Sequence, residues 1–148
     1  MSYYLTKSNP NVYKLRDALT FYRGMSDVSW TTCKPAKPGD ILFIGQSGKE
    51  AGIYAREIVA STTTFEAPLE EPDHLPFFVN PEDASKLAWM ALLEPFKNLK
   101  HPILEHNLKA ILILERVVKL LHIQGAAYHL TEEEGEAIDR LIEASEAA

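Results

Sequence analysis

The pattern of apolar and polar positions is clearest in the middle of the chain, where two apolar runs flank a short polar segment. The runs cover residues 40–46 and 51–60, and the segment between them contains Gly48. Two such runs joined by a short glycine-bearing tip are typical of an antiparallel β-hairpin. The turn residues Lys37–Asp40 precede the first run, so the sequence predicts that the hairpin begins there.

Three shorter elements are predicted before the hairpin. Tyr3–Thr6 and Val28–Thr32 are short β-prone segments, and a helix is expected between them. Asn9 is a favourable N-cap, Pro10 suits the first helical position, and Gly24 is a typical helix end. Apolar residues recur at helical spacing inside this segment, at Val12, Leu15, Ala18 and Leu19.

The second half of the chain gives a more mixed pattern. Residues 61–64 favour a strand through their β-branched side chains, whereas the acidic, proline-rich residues 66–76 favour a loop. Residues 86–93 fit either a helix or a buried strand, and residues 103–121 have a helical composition. The firmest prediction is a last helix, because Thr131–Glu134 matches a capping box before an apolar stripe.

Element order and length together predict one α+β domain over residues 1–148. The net charge of −6 argues against a non-specific binder of nucleic acid. The charge is uneven, however. Residues 1–58 carry eight basic and five acidic side chains, whereas residues 59–148 carry seven basic and sixteen acidic side chains. A solvated acidic helix near the C-terminus explains this, and so does a basic N-terminal face that meets phosphates. The basic residues of such a face are Lys7, Lys34, Lys37, Lys49 and Arg56.

The sequence predicts no catalytic centre, metal site or cofactor. Gly45–Glu50 lacks the spacing of a phosphate-binding P-loop, and the five histidines lack metal-ligand spacing. A single cysteine, Cys33, excludes an internal disulfide. No apolar run approaches the roughly 20 residues that cross a bilayer, and the first residues do not resemble a signal peptide. A reducing, cytoplasmic setting without a membrane partner is therefore expected.

Trp30 is the residue whose surroundings point most clearly to a ligand. It is flanked by Ser29 and by Thr31-Thr32 in a predicted strand. Packing in the core explains any buried tryptophan. Alternatively, the indole forms one wall of an aromatic slot in which hydroxyls and backbone groups read the edge of a flat ring. Candidates for the other walls are Tyr54, Phe77, Phe78 and Trp89.

Three blocks of the chain resemble EVE domains. Tyr4–Tyr13 resembles the opening of these domains, and Trp30 occupies the place of their early tryptophan. Lys37–Ala55 is similar to their central K-P-G-D … S-G-K-x-A-G-I-Y-A block, and Gln124–Glu134 to their closing Q-G … L-T-E-E-E block. The blocks stand in family order. Phe77–Val79 departs from the family pattern, which usually has a tryptophan there.

The resemblance implies a fold of the PUA-like superfamily, which is a mixed β-barrel of five or six strands with helices packed around it. It implies kinship with YTH domains, which hold a methylated adenine in an aromatic cage, and it implies that residues 86–93 form a strand. Several EVE domains are reader modules of methylation-dependent restriction enzymes. A fused or associated nuclease or NTPase domain is therefore an expected partner.

For this chain, the resemblance implies a pocket for a modified base, with Trp30 as one wall and Phe78 as another. The five basic residues of the N-terminal half would hold the flanking phosphates. The residues expected to line the pocket are Ser8, Asn9, Trp30, Thr31, Thr32, Ser47, Gly48 and Phe78.

The leading hypothesis is a non-catalytic reader of a methylated or hydroxymethylated base that is flipped from DNA. A modified-RNA-binding protein of the same fold is the alternative, with DNA slightly favoured as the partner. A second hypothesis is an enzyme that acts on a free nucleobase, although Asp27 and Asp40 are the only carboxylates near Trp30 in the sequence. A third is a protein-interaction domain that dimerises through residues 103–121.

Overall fold

The computed structural model of the protein describes residues 1–61, 63–69, 74–123 and 125–147. The strands of this described part are β1 (Tyr3–Ser8), β2 (Ser29–Thr31), β3 (Ile41–Gln46), β4 (Gly52–Ile58), β5 (Phe65–Pro68), β6 (Leu87–Leu92), β7 (Asn98–Leu104) and β8 (Ala127–Leu130). Its helices are α1 (Leu15–Tyr22), α2 (Glu105–Lys109), α3 (Glu115–Leu120) and α4 (Glu132–Glu146). Short 3-10 turns lie at Leu75–Phe77, Pro81–Ser85 and Leu112–Leu114.

The strands form two sheets. Five strands make a mixed sheet in the order β7-β4-β3-β1-β8, and three make an antiparallel sheet in the order β2-β6-β5. The β3–β4 ladder is the predicted hairpin, and Gly48 in its tip has a φ of +88°, a conformation that favours glycine. The sheets meet where Val59, after β4, pairs with Leu93, after β6. The predicted α+β class is confirmed.

The five-stranded sheet is covered on both faces, which explains the uninterrupted apolar run of β3. All six β3 residues are buried, as expected for a strand with a core on each side. Alternate side chains divide between the two cores. Leu42 and Ile44 pack in the core shared with α1 and β2, whereas Ile41 and Phe43 pack in the core shared with α2, α3 and α4.

The N-terminal helix is shorter than predicted, because it begins at Leu15 and not at Pro10. Asn9 caps no helix; its Oδ1 accepts a hydrogen bond from the N–H two residues later, at 2.9 Å. Residues 12–14 are held against residues 77–79 by backbone hydrogen bonds of 2.7 and 2.9 Å. Residues 9–13 still form a single turn, in which Asn9 O accepts from the N–H groups of Val12 and Tyr13 at 2.8 and 2.9 Å, but the non-local pairing separates this turn from α1.

The segment between the hairpin and β6 also differs from the prediction. The described members of residues 61–64 are not in a strand, and β5 (Phe65–Pro68) overlaps the start of the predicted loop of residues 66–76. β5 pairs with β6 along its whole length, and its terminal proline is tolerated because β5 is an edge strand. β6 itself confirms the strand that the resemblance implied. The predicted strand position 62 and loop positions 70–73 lie outside the described residues.

The C-terminal third contains one correction and one confirmation. Residues 103–121 are not one helix, since they comprise the end of β7, two short helices and a 3-10 turn. The capping box of α4 is confirmed: Thr131 Oγ1 accepts from the N–H of Glu134 at 3.1 Å, and Glu134 Oε1 accepts from the N–H of Thr131 at 2.8 Å. Arg116 also donates to both oxygens of Glu134, so this cap joins α4 to α3.

Candidate functional site

A cavity of about 230 Å³ lies beside β2, next to β1 and the segment that carries Phe78; we call it the inner cavity. Two of its lining residues, Asn9 and Ala126, are exposed, so solvent reaches it. The lining is mostly apolar, and no carboxylate is among the described residues that form it. Those residues are Thr6, Lys7, Ser8, Asn9, Val12, Tyr13, Trp30, Thr31, Ile44, Leu69, His74, Phe78, Met90 and Ala126.

Trp30 lines the inner cavity and also belongs to the core shared by α1 and β2. Its side chain is only 7% exposed. Tyr13 and Tyr22 meet the indole edge-on, with centroid distances of 6.0 and 6.2 Å and interplanar angles of 88° and 86°. The ring of Phe96 lies 5.5 Å away. The indole is therefore fixed by core packing while it contributes to the cavity wall.

His74 is the buried polar centre of the aromatic cluster around Trp30. Its Nε2 lies 2.7 Å from the backbone oxygen of Ser29, and because a carbonyl only accepts, Nε2 donates. In the neutral imidazole, Nδ1 then accepts from the Tyr13 hydroxyl at 2.9 Å, while the Tyr22 hydroxyl lies 3.3 Å from the same atom. His74 thereby joins β2 to Tyr13 and α1.

Phe78 is half-buried and lines the same cavity. Its backbone forms an isolated bridge with Tyr13, and the two rings lie 4.9 Å apart at 69°. The pairing that delays the start of α1 therefore also brings Phe78 to the inner cavity.

Ser8 and Thr31 offer polar groups in the cavity lining that do not pair with a neighbouring strand. Ser8 Oγ is buried and unpaired. The N–H of Thr32 donates to the backbone oxygen of Trp89 in β6, and the backbone oxygen of Val28 accepts from the N–H of Leu93, directly after β6. Because antiparallel pairing alternates, the N–H and C=O of Thr31 point to the open edge of β2. Unpaired polar groups are costly when they are removed from water, so these groups are available to a ligand.

A wider groove of about 810 Å³ adjoins the inner cavity; we call it the outer groove. The two spaces are adjacent, since they share Lys7, Ser8, Asn9 and Val12. No carboxylate is among the described residues that line the groove, although the chain as a whole has a net charge of −6. The lining comprises Lys7, Ser8, Asn9, Pro10, Asn11, Val12, Ser47, Gly48, Lys49, Lys86, His122, Ile123 and Gly125.

The cations of the outer groove differ in how they are held. Lys7 Nζ donates to the backbone oxygens of Leu121 and Ile123, and burial lowers the pKa of Lys7. Lys86 forms an exposed ion pair of 3.2 Å with an aspartate three residues earlier. Lys49 is exposed at the hairpin tip. Lys49 and Lys86 are thus the exposed lysines of the groove lining.

The structure separates the eight residues predicted for the base pocket into three groups. Five of them line the inner cavity: Ser8, Asn9, Trp30, Thr31 and Phe78. Ser47 and Gly48 line only the outer groove. Thr32 lines neither space, since its side chain is buried with Oγ1 unpaired.

The five residues predicted to hold phosphates are also divided. Lys7 and Lys49 line the outer groove. Lys34 lies elsewhere, with Nζ 4.8 Å from the ring centroid of Trp89, and Lys37 lies in the turn before β3. Arg56 donates two hydrogen bonds, of 2.7 and 3.2 Å, to a carboxylate on α4, so its guanidinium is engaged within the fold.

Sequence reasoning missed several residues of both spaces, among them Tyr13, His74, Met90, Lys86 and His122. Tyr13 lies in a block that resembles EVE domains, which was an available signal. Nothing local marks His74, because its hydrogen-bond partners are 45, 52 and 61 residues away in the chain.

No model of a protein family matches the sequence, and no curated protein matches it. Several solved structures do match. Human THYN1 protein in complex with 5-methylcytosine-containing DNA is 18% identical over 97% of this chain and 98% of that chain, with a TM-score of 0.63. A hypothetical protein from Leishmania major is 17% identical over 97% and 96%, with a TM-score of 0.65. Protein Atu2648 from Agrobacterium tumefaciens is 17% identical over 96% and 93%, with a TM-score of 0.64.

The chain has the fold of these solved structures. The α+β class with mixed strand pairing that the resemblance implied is confirmed. Because these identities are below 20%, the likeness establishes the fold of the chain and not its ligand.

In the described ranges, no group of three or more His, Cys, Asp or Glu side chains is arranged to hold a metal ion. None of the helices in those ranges has the length and apolar character needed to span a bilayer.

Proposed function

We propose that the protein is a non-catalytic reader of a methylated or hydroxymethylated base that is flipped out of DNA into the inner cavity. The observation that carries the proposal is the cavity itself: a space of about 230 Å³ that has Trp30 in its wall and adjoins a groove lined by three lysines. This volume is below the roughly 300–1,000 Å³ of pockets for drug-sized ligands, and it suits a single aromatic ring.

The unpaired polar groups support recognition of a base edge. Ser8 Oγ can donate or accept a hydrogen bond, and Thr31 offers one backbone donor beside one backbone acceptor. The edge of a base likewise presents donors and acceptors side by side. Stacking on an aromatic ring contributes about 1–3 kcal/mol per base, which offsets the cost of extruding the base.

The charge distribution supports a nucleic-acid partner. Phosphate contacts give affinity without sequence information, and the outer groove supplies Lys7, Lys49 and Lys86 for them. This set revises the sequence-based one, because Arg56 is engaged with α4 and because Lys34 and Lys37 line neither space.

The human THYN1 structure, which contains 5-methylcytosine DNA, makes 5-methylcytosine the first base to test. Recognition without catalysis is supported by the absence of a carboxylate from the described lining and by the engagement of both ring nitrogens of His74. A role in a restriction system, with a fused or associated nuclease or NTPase domain, stays a prediction from the family resemblance.

The test is a binding panel of DNA and RNA oligonucleotides. Each is made unmodified and with one 5-methylcytosine, 5-hydroxymethylcytosine or N6-methyladenine. We expect one modified DNA to bind more tightly than its unmodified match. A stronger response to the RNA set would favour the RNA-binding alternative. Altered base mass after incubation would favour the enzyme hypothesis.

Two variants connect the binding to the inner cavity. Trp30→Ala removes the wall, and Ala126→Leu fills the cavity from an exposed position without removing core atoms. We expect both to weaken binding of the modified oligonucleotide roughly 5- to 150-fold, as loss of stacking predicts. Ala60→Leu, at an exposed position outside both spaces, is the matched control. Unchanged discrimination in Ala126→Leu would overturn the proposal.

A further inference from the structure

The outer groove contains an exposed aliphatic side chain among its cations. Ile123 lines the groove and is 49% exposed. Its neighbours in the groove include Lys7, Lys86 and His122, so a hydrophobic side chain here is unexpected for a surface that only contacts phosphates. Single exposed apolar side chains are common on protein surfaces, but one that shares a groove with cations can pack on an apolar surface of a nucleic acid, such as the face of a base pair.

Ile123 is held firmly relative to the inner cavity. The Nζ of Lys7 donates to the backbone oxygen of Ile123 and, at 3.5 Å, to that of Leu121. Lys7 belongs to β1 and lines both spaces. One side chain therefore joins the cavity wall, the phosphate-binding groove and the turn that carries Ile123.

We propose that Ile123 enters the base stack of duplex DNA and fills the place of the extruded base. This inference rests on the proposed function and adds to it the kind of nucleic acid: the substrate is a duplex from which the base must be flipped. Apolar side chains that insert between base steps are a general means of stabilising a distorted duplex.

The physical reason is the cost of flipping. Removing a base from a duplex breaks its stacking and pairing, at a cost of a few kcal/mol. The inner cavity recovers part of this on the flipped base, but the gap in the duplex stays open unless the protein fills it. An aliphatic group on the groove side of the cavity entrance covers the exposed faces of the neighbouring base pairs.

The two strand states of one oligonucleotide separate this role from general binding. A single strand has no stack to fill, so Ile123 contributes to duplex binding only. We expect Ile123→Ala to weaken binding of a duplex with one modified base on the order of tenfold. Binding of the same strand without its complement should change less than twofold.

Two matched variants complete the experiment. Leu112→Ala removes a more exposed aliphatic side chain, outside both spaces, and should leave both affinities unchanged. Ile123→Leu keeps an aliphatic wedge and should retain most of the duplex affinity. Equal losses on duplex and single strand in Ile123→Ala, or no loss on either, would overturn the inference.

The outcome also distinguishes this inference from the proposed function. A protein whose Ile123→Ala variant binds the modified duplex as tightly as the wild type keeps the proposed function and overturns the role of Ile123. A protein that binds no modified oligonucleotide in either form overturns both.

Discussion

The ring of Trp30 stands edge-on to the imidazole of His74, with centroids 5.0 Å apart and planes at 83°. His74 in turn donates to the backbone oxygen of Ser29, the residue before Trp30. The histidine thus contacts the indole directly and also holds the strand that carries it. This relationship makes the wall of the inner cavity rigid before any ligand arrives, which lowers the ordering cost of binding.

Removing the Ser8 hydroxyl should affect the ligand and not the fold. Ser8 Oγ is buried and unpaired, so Ser8→Ala breaks no hydrogen bond to a described residue, and the free energy of unfolding should not fall. A hydrogen bond to the ligand is worth about 0.5–1.5 kcal/mol, so affinity for the modified oligonucleotide should fall about 2- to 12-fold. Thr6→Ala is the contrasting variant, because it removes a hydroxyl that donates to the backbone oxygen of Ala126. We expect this variant to lower the free energy of unfolding. A destabilised Ser8→Ala with unchanged affinity would refute this role.

The salt dependence of binding should identify the lysines that contact phosphates. Each phosphate contact contributes about 0.9 to the slope of log K against log salt concentration. We expect Lys49→Gln and Lys86→Gln each to reduce the slope by about that amount. Lys37→Gln changes an exposed lysine outside the outer groove and should leave the slope unchanged. A reduced slope in Lys37→Gln alone would move the phosphate path to the turn before β3.

Arg56 should matter for stability and not for DNA binding. Its guanidinium pairs with Asp139 on α4, and the bond to Asp139 raises the pKa of Arg56. We expect Arg56→Gln to lower the free energy of unfolding by about 1 kcal/mol, as for a partly exposed ion pair, and to leave DNA affinity within twofold. Denaturant unfolding and the oligonucleotide titration measure the two effects. Loss of affinity without loss of stability would restore Arg56 to the phosphate contacts.

The buried carboxyl of Glu57 should make stability depend on pH. Burial raises its pKa from 4.5 to about 8, although the N–H of Lys97, 2.8 Å from Oε1, opposes the shift. A raised pKa means that the folded state keeps a proton that the unfolded state loses. The free energy of unfolding should therefore fall as pH rises between 4.5 and 8, by up to about 1.4 kcal/mol per pH unit from this group.

Unfolding of Glu57→Gln at pH 5, 6.5 and 8 checks the assignment. The variant cannot ionise at this position, so its stability should vary less with pH than that of the wild type. Glu66→Gln, on an exposed position of β5, should keep the wild-type dependence. A wild-type slope in Glu57→Gln would show that other groups cause the effect.

The sequence predicts best where local pattern and non-local packing agree. The β3–β4 hairpin and α4 were predictable because turn glycine, capping box and apolar periodicity all favour the observed element. β6 contradicts its own helix propensity, since its register between β2 and β5 decides its conformation. The late start of α1 has the same cause, because residues 12–14 pair with residues 77–79.

The site was predictable only in part. A motif identified Trp30 and Thr31, since the chemistry of a tryptophan beside hydroxyls is visible in one short segment. The sequence identified the lysines of the N-terminal half as a set, but it did not show which surface each side chain occupies. Lys49 lines the outer groove, whereas Lys34 lies over the ring of Trp89. Side chains placed by partners far along the chain, as His74 is, leave no local pattern.

The central claim is that a modified base lies against Trp30 in the inner cavity. The chain has two tryptophans, and Trp89 lines neither described space, so it serves as an internal control. The most direct measurement is a ¹⁵N–¹H NMR titration of the two indole N–H signals with a duplex that carries one 5-methylcytosine. We expect the Trp30 signal to shift with the modified duplex and not with its unmodified match, while the Trp89 signal stays in place. Binding that leaves the Trp30 signal unmoved would contradict the account.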